Sequence, residues 1–138
     1  MYEFVATHLA PAPLDAVWQV WSDLTGQPAW DPRTRQVLLD GPFVAGTTGH
    51  VRRTGSPSGP FRIARVDPPH GWDTSTTLPG GELRWSHHLE PADGGTLLTL
   101  TYRATGPLEL LHRVLWGPAT RRSLSATWSG LDARLAEA

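Results

Sequence analysis

Between Glu82 and Thr105 the chain reads ELRWSHHLE, a PADGG linker, then TLLTLTYRAT, and both flanking runs alternate between apolar and polar residues. Successive side chains of a β-strand point to opposite faces. Leu83, Trp85, His87 and Leu89 therefore share one face, while Glu82, Arg84, Ser86, His88 and Glu90 share the other. In the second run Leu98, Leu100, Tyr102 and Ala104 form the apolar set, and the Asp-Gly pair of the linker is a tight-turn signal. The two runs thus predict an antiparallel hairpin with one apolar face. Such a face has to be covered by another layer, which restricts the chain to a few architectures.

The remaining sequence supplies both the rest of a sheet and the cover. YEFVATHL (2–9) alternates and ends at APAP, so it reads as a strand. LDAVWQVWSDL then places Leu14, Val17, Trp18 and Trp21 at helical spacing behind Pro13, a residue suited to a first helical turn. TGQPAWDP must turn. Four further short runs follow, RQVLLD, TTGHVRRT, FRIARV and WDTSTTL, separated by GP, GSPSG, DPPHG and PGG. About seven strands at hairpin spacing imply one mostly antiparallel sheet. After Gly106 the period changes: Leu108, Leu111 and Leu115 share a helical face, and Leu124, Trp128, Leu131 and Leu135 continue it. A helix of that length spans about 45 Å, and Gly117-Pro118 is expected to kink or split it. No repeat or linker interrupts the chain, so residues 1–138 read as a single domain.

Composition narrows the chemistry. Without cysteine there are no disulfides, thiolate metal sites or cysteine nucleophiles. A net charge of −1 gives no general attraction to nucleic acid or to anionic membranes. All 12 basic residues are arginine, and the pairs Arg52-Arg53 and Arg121-Arg122 could each hold an anion locally. The N-terminus lacks a basic segment followed by an apolar core, and no apolar run reaches membrane-spanning length. The expectation is a cytoplasmic protein without membrane insertion. No serine lies in a GxSxG elbow, and GSPSG reads as a hairpin turn, not as a phosphate cradle.

The adjacent histidines separate on this reading. His87 belongs to the inner face and His88 to the wet one, so they cannot chelate one metal together. His8, His50, His70 and His112 add no ligand spacing, and no metal is expected. His87 and Tyr102 both project inward from neighbouring strands, but whether they meet depends on a register that sequence leaves open. Each has a plain reading as a buried group satisfied by a hydrogen bond. Each also has a functional one, as part of a cavity wall or as an acid–base group. Asp31 and Asp73 are possible accessory groups, although an aspartate before Pro32 is also an ordinary turn residue.

The order APAPLDAVWQVWSDL, PAWDP, LDGPFVAGT, RVDPPHGW, LEPADGGTLLTLTY and a closing GPLELL helix resembles the START-like (SRPBCC) superfamily of polyketide cyclases/dehydrases and lipid-transport proteins. The resemblance covers nearly the whole length. It implies an α+β helix-grip fold: a curved antiparallel sheet around a long C-terminal helix, with two short helices after the first strand. It also implies an apolar cavity between sheet and helix, and it brings no catalytic signature with it.

Candidate cavity residues on the sheet are Trp72, Thr74, Trp85, His87, Leu98, Leu100 and Tyr102. The final helix contributes Leu111, Leu115 and Trp128, and Trp30 would stand near the mouth. Trp18 and Trp21, on the amphipathic first helix, are expected to pack the core. The expected function is binding, as carrier or sensor, of a small hydrophobic, aromatic or polyketide-like molecule, with no cofactor and as a monomer or homodimer. The alternative is a cyclase/dehydratase-type enzyme in which His87 or Tyr102 moves a proton. A protein–protein or dimerisation module is a third class, with nothing distinctive in its favour.

Overall fold

The computed structural model describes residues 1–54 and 58–137; Gly55, Ser56 and Pro57, within the expected GSPSG turn, lie outside the described residues. The strands are β1 (Tyr2–Ala10), β2 (Thr34–Leu39), β3 (Thr48–Arg53) and β4 (Gly59–Asp67), followed by β5 (Gly71–Leu78), β6 (Gly81–Ala92) and β7 (Gly95–Ala104). They form one antiparallel sheet in the order β1-β7-β6-β5-β4-β3-β2. Helix α1 (Leu14–Trp21) and a single 3-10 turn (Gln27–Ala29) separate β1 from β2. At the C-terminus α2 (Glu109–Leu111) runs through a π-helical turn (His112–Trp116) into α3 (Gly117–Ala136). The whole is a curled half-barrel around a long C-terminal helix, the expected helix-grip arrangement. Among the described residues no helix is long and apolar enough to cross a membrane.

Alternation places the core as the sequence implies. Leu83, Trp85 and Leu89 of β6 and Leu98, Leu100, Tyr102 and Ala104 of β7 are all buried. Two register shifts bend the sheet, one between Thr34 and Gln36 on β2 and one between Ile63 and Arg65 on β4. A bulge adds a residue to one strand and increases local twist. Helix α3 lies against β1 and α1 and buries Leu124, Trp128, Leu131 and Leu135.

The segment before α3 departs from expectation. Leu111 is 41% exposed and Leu115 54% exposed, and Leu110 and Val114 are exposed as well. These leucines do not form the inner face assigned to them by simple helical spacing. The cause is phase: Leu115 lies nine residues, two and a half turns, before buried Leu124, so the helix that buries Leu124 turns Leu115 outward. The π turn adds a residue to one turn, so the buried stripe steps back five residues from Gly117 to His112. The same wide turn carries the helix past Gly117-Pro118 without a break, since Gly117 keeps helical dihedrals. A β-carbon at Gly117 would stand 2.3 Å from the Tyr2 ring and 2.5 Å from the His112 carbonyl oxygen.

A buried polar hub ties the loop after α1 to α3. The Asp31 carboxylate accepts from the Arg33 amide (3.0 Å), Thr34 Oγ1 (2.8 Å), Gln27 Nε2 (3.0 Å) and Thr127 Oγ1 (2.9 Å). Arg33 Nε donates to Thr127 Oγ1 at 2.7 Å and lies 3.9 Å from Asp31. Next to the hub the Trp30 carbonyl lies where a β-carbon on Gly130 would come within 1.9 Å, so the close approach of loop and helix requires glycine there.

Two stability predictions follow from these contacts. Asp31→Asn leaves the buried Arg33 without its counter-charge and should cost about 3–5 kcal/mol in chemical denaturation. Gly117→Ala improves helix propensity by about 1 kcal/mol yet should lower the melting temperature, because overpacking against Tyr2 costs about 1–3 kcal/mol. A rise in melting temperature for Gly117→Ala would contradict the close contact.

Candidate functional site

A partly open pocket of about 100 Å³ occupies the half of the concave face that α3 leaves uncovered. Trp21 from the end of α1, with Leu24 and Gln27 after it, forms one side. Strands β2 to β4 contribute Val37, Val51, Arg53 and Phe61, with Ser58 and Gly59 at the edge. The floor is Trp72, Thr74, Thr76 and Leu78 of β5 and Leu83, Trp85 and His87 of β6. Alternate residues of β5 and β6 reach the same surface because they share strand parity.

Of the residues singled out from sequence, Trp72, Thr74, Trp85 and His87 lie on this wall. Leu98, Leu100 and Tyr102 are buried in the solid core of β7 and do not line it. Trp128 stacks on His8 with ring centres 5.0 Å apart, between α3 and β1. Trp30 packs at the α3 side beside Gly130, not at the pocket mouth. Among the described residues the lining includes none from α3, so the expected cavity between sheet and final helix is displaced toward α1 and β2–β5. Helix α3 fills its half of the curl with Leu124, Trp128 and Leu131, and the pocket opens beyond its flank.

Sequence reading named the Arg52-Arg53 pair only as a local anion holder and placed none of Arg53, Trp21 and Phe61 on the cavity wall. Parity could have found Arg53: in HVRR, Val51 and Arg53 share a face, and Val51 is buried. Trp21 packs the core as expected but also lines the space, its ring edge-on to Trp72 (4.9 Å) and to His87 (5.1 Å).

His87 and Tyr102 do not meet. The β6–β7 register sets Tyr102 opposite Trp85 and His87 opposite Leu100. The Trp85 ring stands edge-on to Tyr102 at 4.9 Å. The Tyr102 hydroxyl is instead hydrogen-bonded to Nδ1 of buried His112 at 2.5 Å, the residue that the π turn directs inward. Burial raises the Tyr102 pKa well above that of an ordinary phenol and lowers that of His112. Both groups are neutral and sealed from solvent.

His87 lies flat on Trp72, ring centres 4.0 Å apart and 5° from parallel, and its Nδ1 bonds the Trp72 carbonyl at 3.2 Å. Desolvation pulls its pKa down to about 3, outweighing that hydrogen bond, and the nearby Arg53 charge adds to the fall. Neutral His87 therefore donates from Nδ1 and keeps Nε2 as an acceptor. Asp73 faces the outer side of β5, held by Arg65 (3.1 Å) and Arg84 (2.9 Å). Burial alone would raise its pKa, but those two arginine hydrogen bonds hold it below the usual carboxylate value. Asp31, enclosed in its hub, does not line the pocket either, so neither aspartate is an accessory group there. Among the described residues no cluster of three or more His, Asp or Glu side chains could hold a metal.

The sequence pattern of the family described as polyketide cyclase/dehydrase and lipid transport matches residues 1–136. No curated protein sequence matches the chain. Among solved structures, a Rhodobacter sphaeroides protein superposes with TM-score 0.76 at 18% identity, over 98% of this chain and 92% of its own. A START superfamily protein from Mycobacterium smegmatis gives 0.71 at 14% identity, over 99% of both chains. The Zhui aromatase/cyclase from Streptomyces sp. R1128 gives 0.68 at 14% identity, over 97% and 93%. At these identities the likeness is one of fold.

The His87 environment predicts an acid-sensitive fold. Its folded-state pKa lies below the unfolded value of about 6.5, so the unfolded chain binds the extra proton and stability falls as pH drops through that range. Between about pH 6 and pH 4 the melting temperature should fall more steeply for the wild type than for His87→Gln. Parallel curves for the two proteins would refute the assignment.

Proposed function

Because this chain belongs to the polyketide cyclase/dehydrase and lipid-transport family, we propose that its pocket binds a small, flat, hydrophobic molecule and that the protein acts as a carrier or sensor. The observation that carries this reading is the wall itself. Trp21, Trp72, Trp85 and Phe61 present rigid ring surfaces around open space, with His87, Arg53 and a few other polar side chains among them. Small-molecule sites have this form, mostly apolar with few polar groups. A dry protein cavity of about 150 Å³ admits benzene, so about 100 Å³ suits about one ring, with any second ring lying at the open side. It does not suit a long folded poly-ketone chain.

The enzymatic reading draws less support. A structural neighbour is named an aromatase/cyclase, and His87 faces the pocket. Tyr102, the other candidate acid–base group, is buried against His112 outside the wall. With its pKa lowered to about 3, His87 is not imidazolium at neutral pH, so it is neither a general acid there nor a strong base.

Mass spectrometry of material co-purifying with the protein, followed by titration of bicyclic aromatic probes read by tryptophan fluorescence, tests the reading. Thr74→Phe should fill the space and weaken binding about tenfold or more while the fold still melts cooperatively. Unchanged affinity would place the probe elsewhere. His87→Gln should shift affinity by no more than about tenfold, one hydrogen bond's worth. A turnover that wild type performs and that falls about 10² in His87→Gln would instead establish the enzyme.

A further inference from the structure

Resting on the reading that the pocket binds a small flat molecule, we propose that this ligand is an organic anion, a flat oxyanion of the aryl-carboxylate class, whose charge is met by Arg53. Arg53 lines the pocket beside Trp85, with its guanidinium carbon 4.9 Å from the centre of that ring. Its Nε is buried and has no hydrogen-bond partner, and among the described residues no carboxylate lies within ion-pair distance of it. The charged groups that act on it are Arg33, of the same sign, and Asp31, of opposite sign. Asp31 is already saturated by its four donors and paired with Arg33. Two guanidinium groups therefore stand against one carboxylate, and the one facing the pocket is uncompensated.

A guanidinium whose buried Nε–H has no acceptor bears a desolvation cost that nothing in the pocket wall repays. Desolvation and the repulsion from Arg33 pull the pKa of Arg53 down to about 10, which leaves it charged at neutral pH. A second pocket residue repeats the pattern: the indole nitrogen of Trp72 is buried without an acceptor, although the residue is only 1% exposed. Both orphans are donors. A ligand oxyanion supplies the acceptor that each lacks, and the planar guanidinium matches a carboxylate in two parallel hydrogen bonds. Trp85 beneath the guanidinium and Trp72 on the floor hold a flat ring in the same space.

The test uses benzoate and 2-naphthoate against their neutral isosteres benzamide and 2-naphthamide, titrated by calorimetry into wild type, Arg53→Gln and Arg53→Lys. The wild type should bind the carboxylates about ten- to a hundredfold more tightly than the amides, the range of a charge-assisted hydrogen bond. Arg53→Gln should lose that preference and Arg53→Lys should retain part of it. Without ligand, Arg53→Gln should melt no lower than wild type, because it removes an unpaired buried charge. Amides bound as tightly as carboxylates by the wild type would overturn the anion assignment while leaving the pocket's role intact. A preference that persists in Arg53→Gln would overturn it equally. If none of the four probes binds, the pocket reading falls and this inference falls with it.

Discussion

The carboxylate of Asp31 is the contact on which the architecture turns. It has left water entirely, and that desolvation is tolerable only because four donors converge on it. One of them, Thr127, lies 96 residues away on α3. The hub therefore suspends the segment after α1 from the final helix, and Gln27 and Leu24 are held above the sheet instead of collapsing onto it. A pocket beneath that segment exists because its roof is anchored elsewhere.

The second determinant is the division of the concave face. Leucines and Trp128 of α3 occupy the half nearest β1. Over β3 to β6 the pocket wall includes two indoles, a phenyl ring, an imidazole and threonines among its aliphatic residues. Rigid rings that meet edge-on, as Trp21 does with Trp72 and His87, cannot rearrange to close a gap as branched aliphatic chains do. The outer face solves a different problem. There Asp73 is satisfied by Arg65 and Arg84, so its charge is neutralised on the side away from the ligand.

How much of this is legible in the sequence varies by element. The strands are, because a period of two is unambiguous where one face is buried, and parity puts His87 and Trp85 inside and His88 outside. The faces of the last helix before Gly117 are not, because their phase is set from α3 and nothing in LLHRVLW announces its π turn. A 3.6-residue period counted from Leu108 assigns Leu111 and Leu115 inward, but the phase that α3 sets by burying Leu124 turns both outward. Parity gives Tyr102 its correct face, but its partner depends on register and on His112, which the π turn directs inward. The Arg52-Arg53 pair stands out as a local anion holder, but only its parity with Val51, buried at 7% exposure, tells that Arg53 is the member facing inward.

The electrostatics of the pocket also bear on what chemistry it can perform. An uncompensated guanidinium in a poorly hydrated space acts on every titratable neighbour, and His87 shares the wall with it. Desolvation already disfavours the imidazolium, and the positive charge of Arg53 disfavours it further. The site is thus arranged to hold negative charge and to withhold protons. Proton delivery to a substrate needs the opposite arrangement, a carboxylate near the imidazole to stabilise its charged form. Asp73 has the right chemistry and sits on the strand next to that of His87, but it points to the far face and is committed to two arginines. A pocket built this way is suited to recognising an anion and poorly suited to acid catalysis, and the placement of Arg53 on β3, Asp73 on β5 and His87 on β6 is what makes it so.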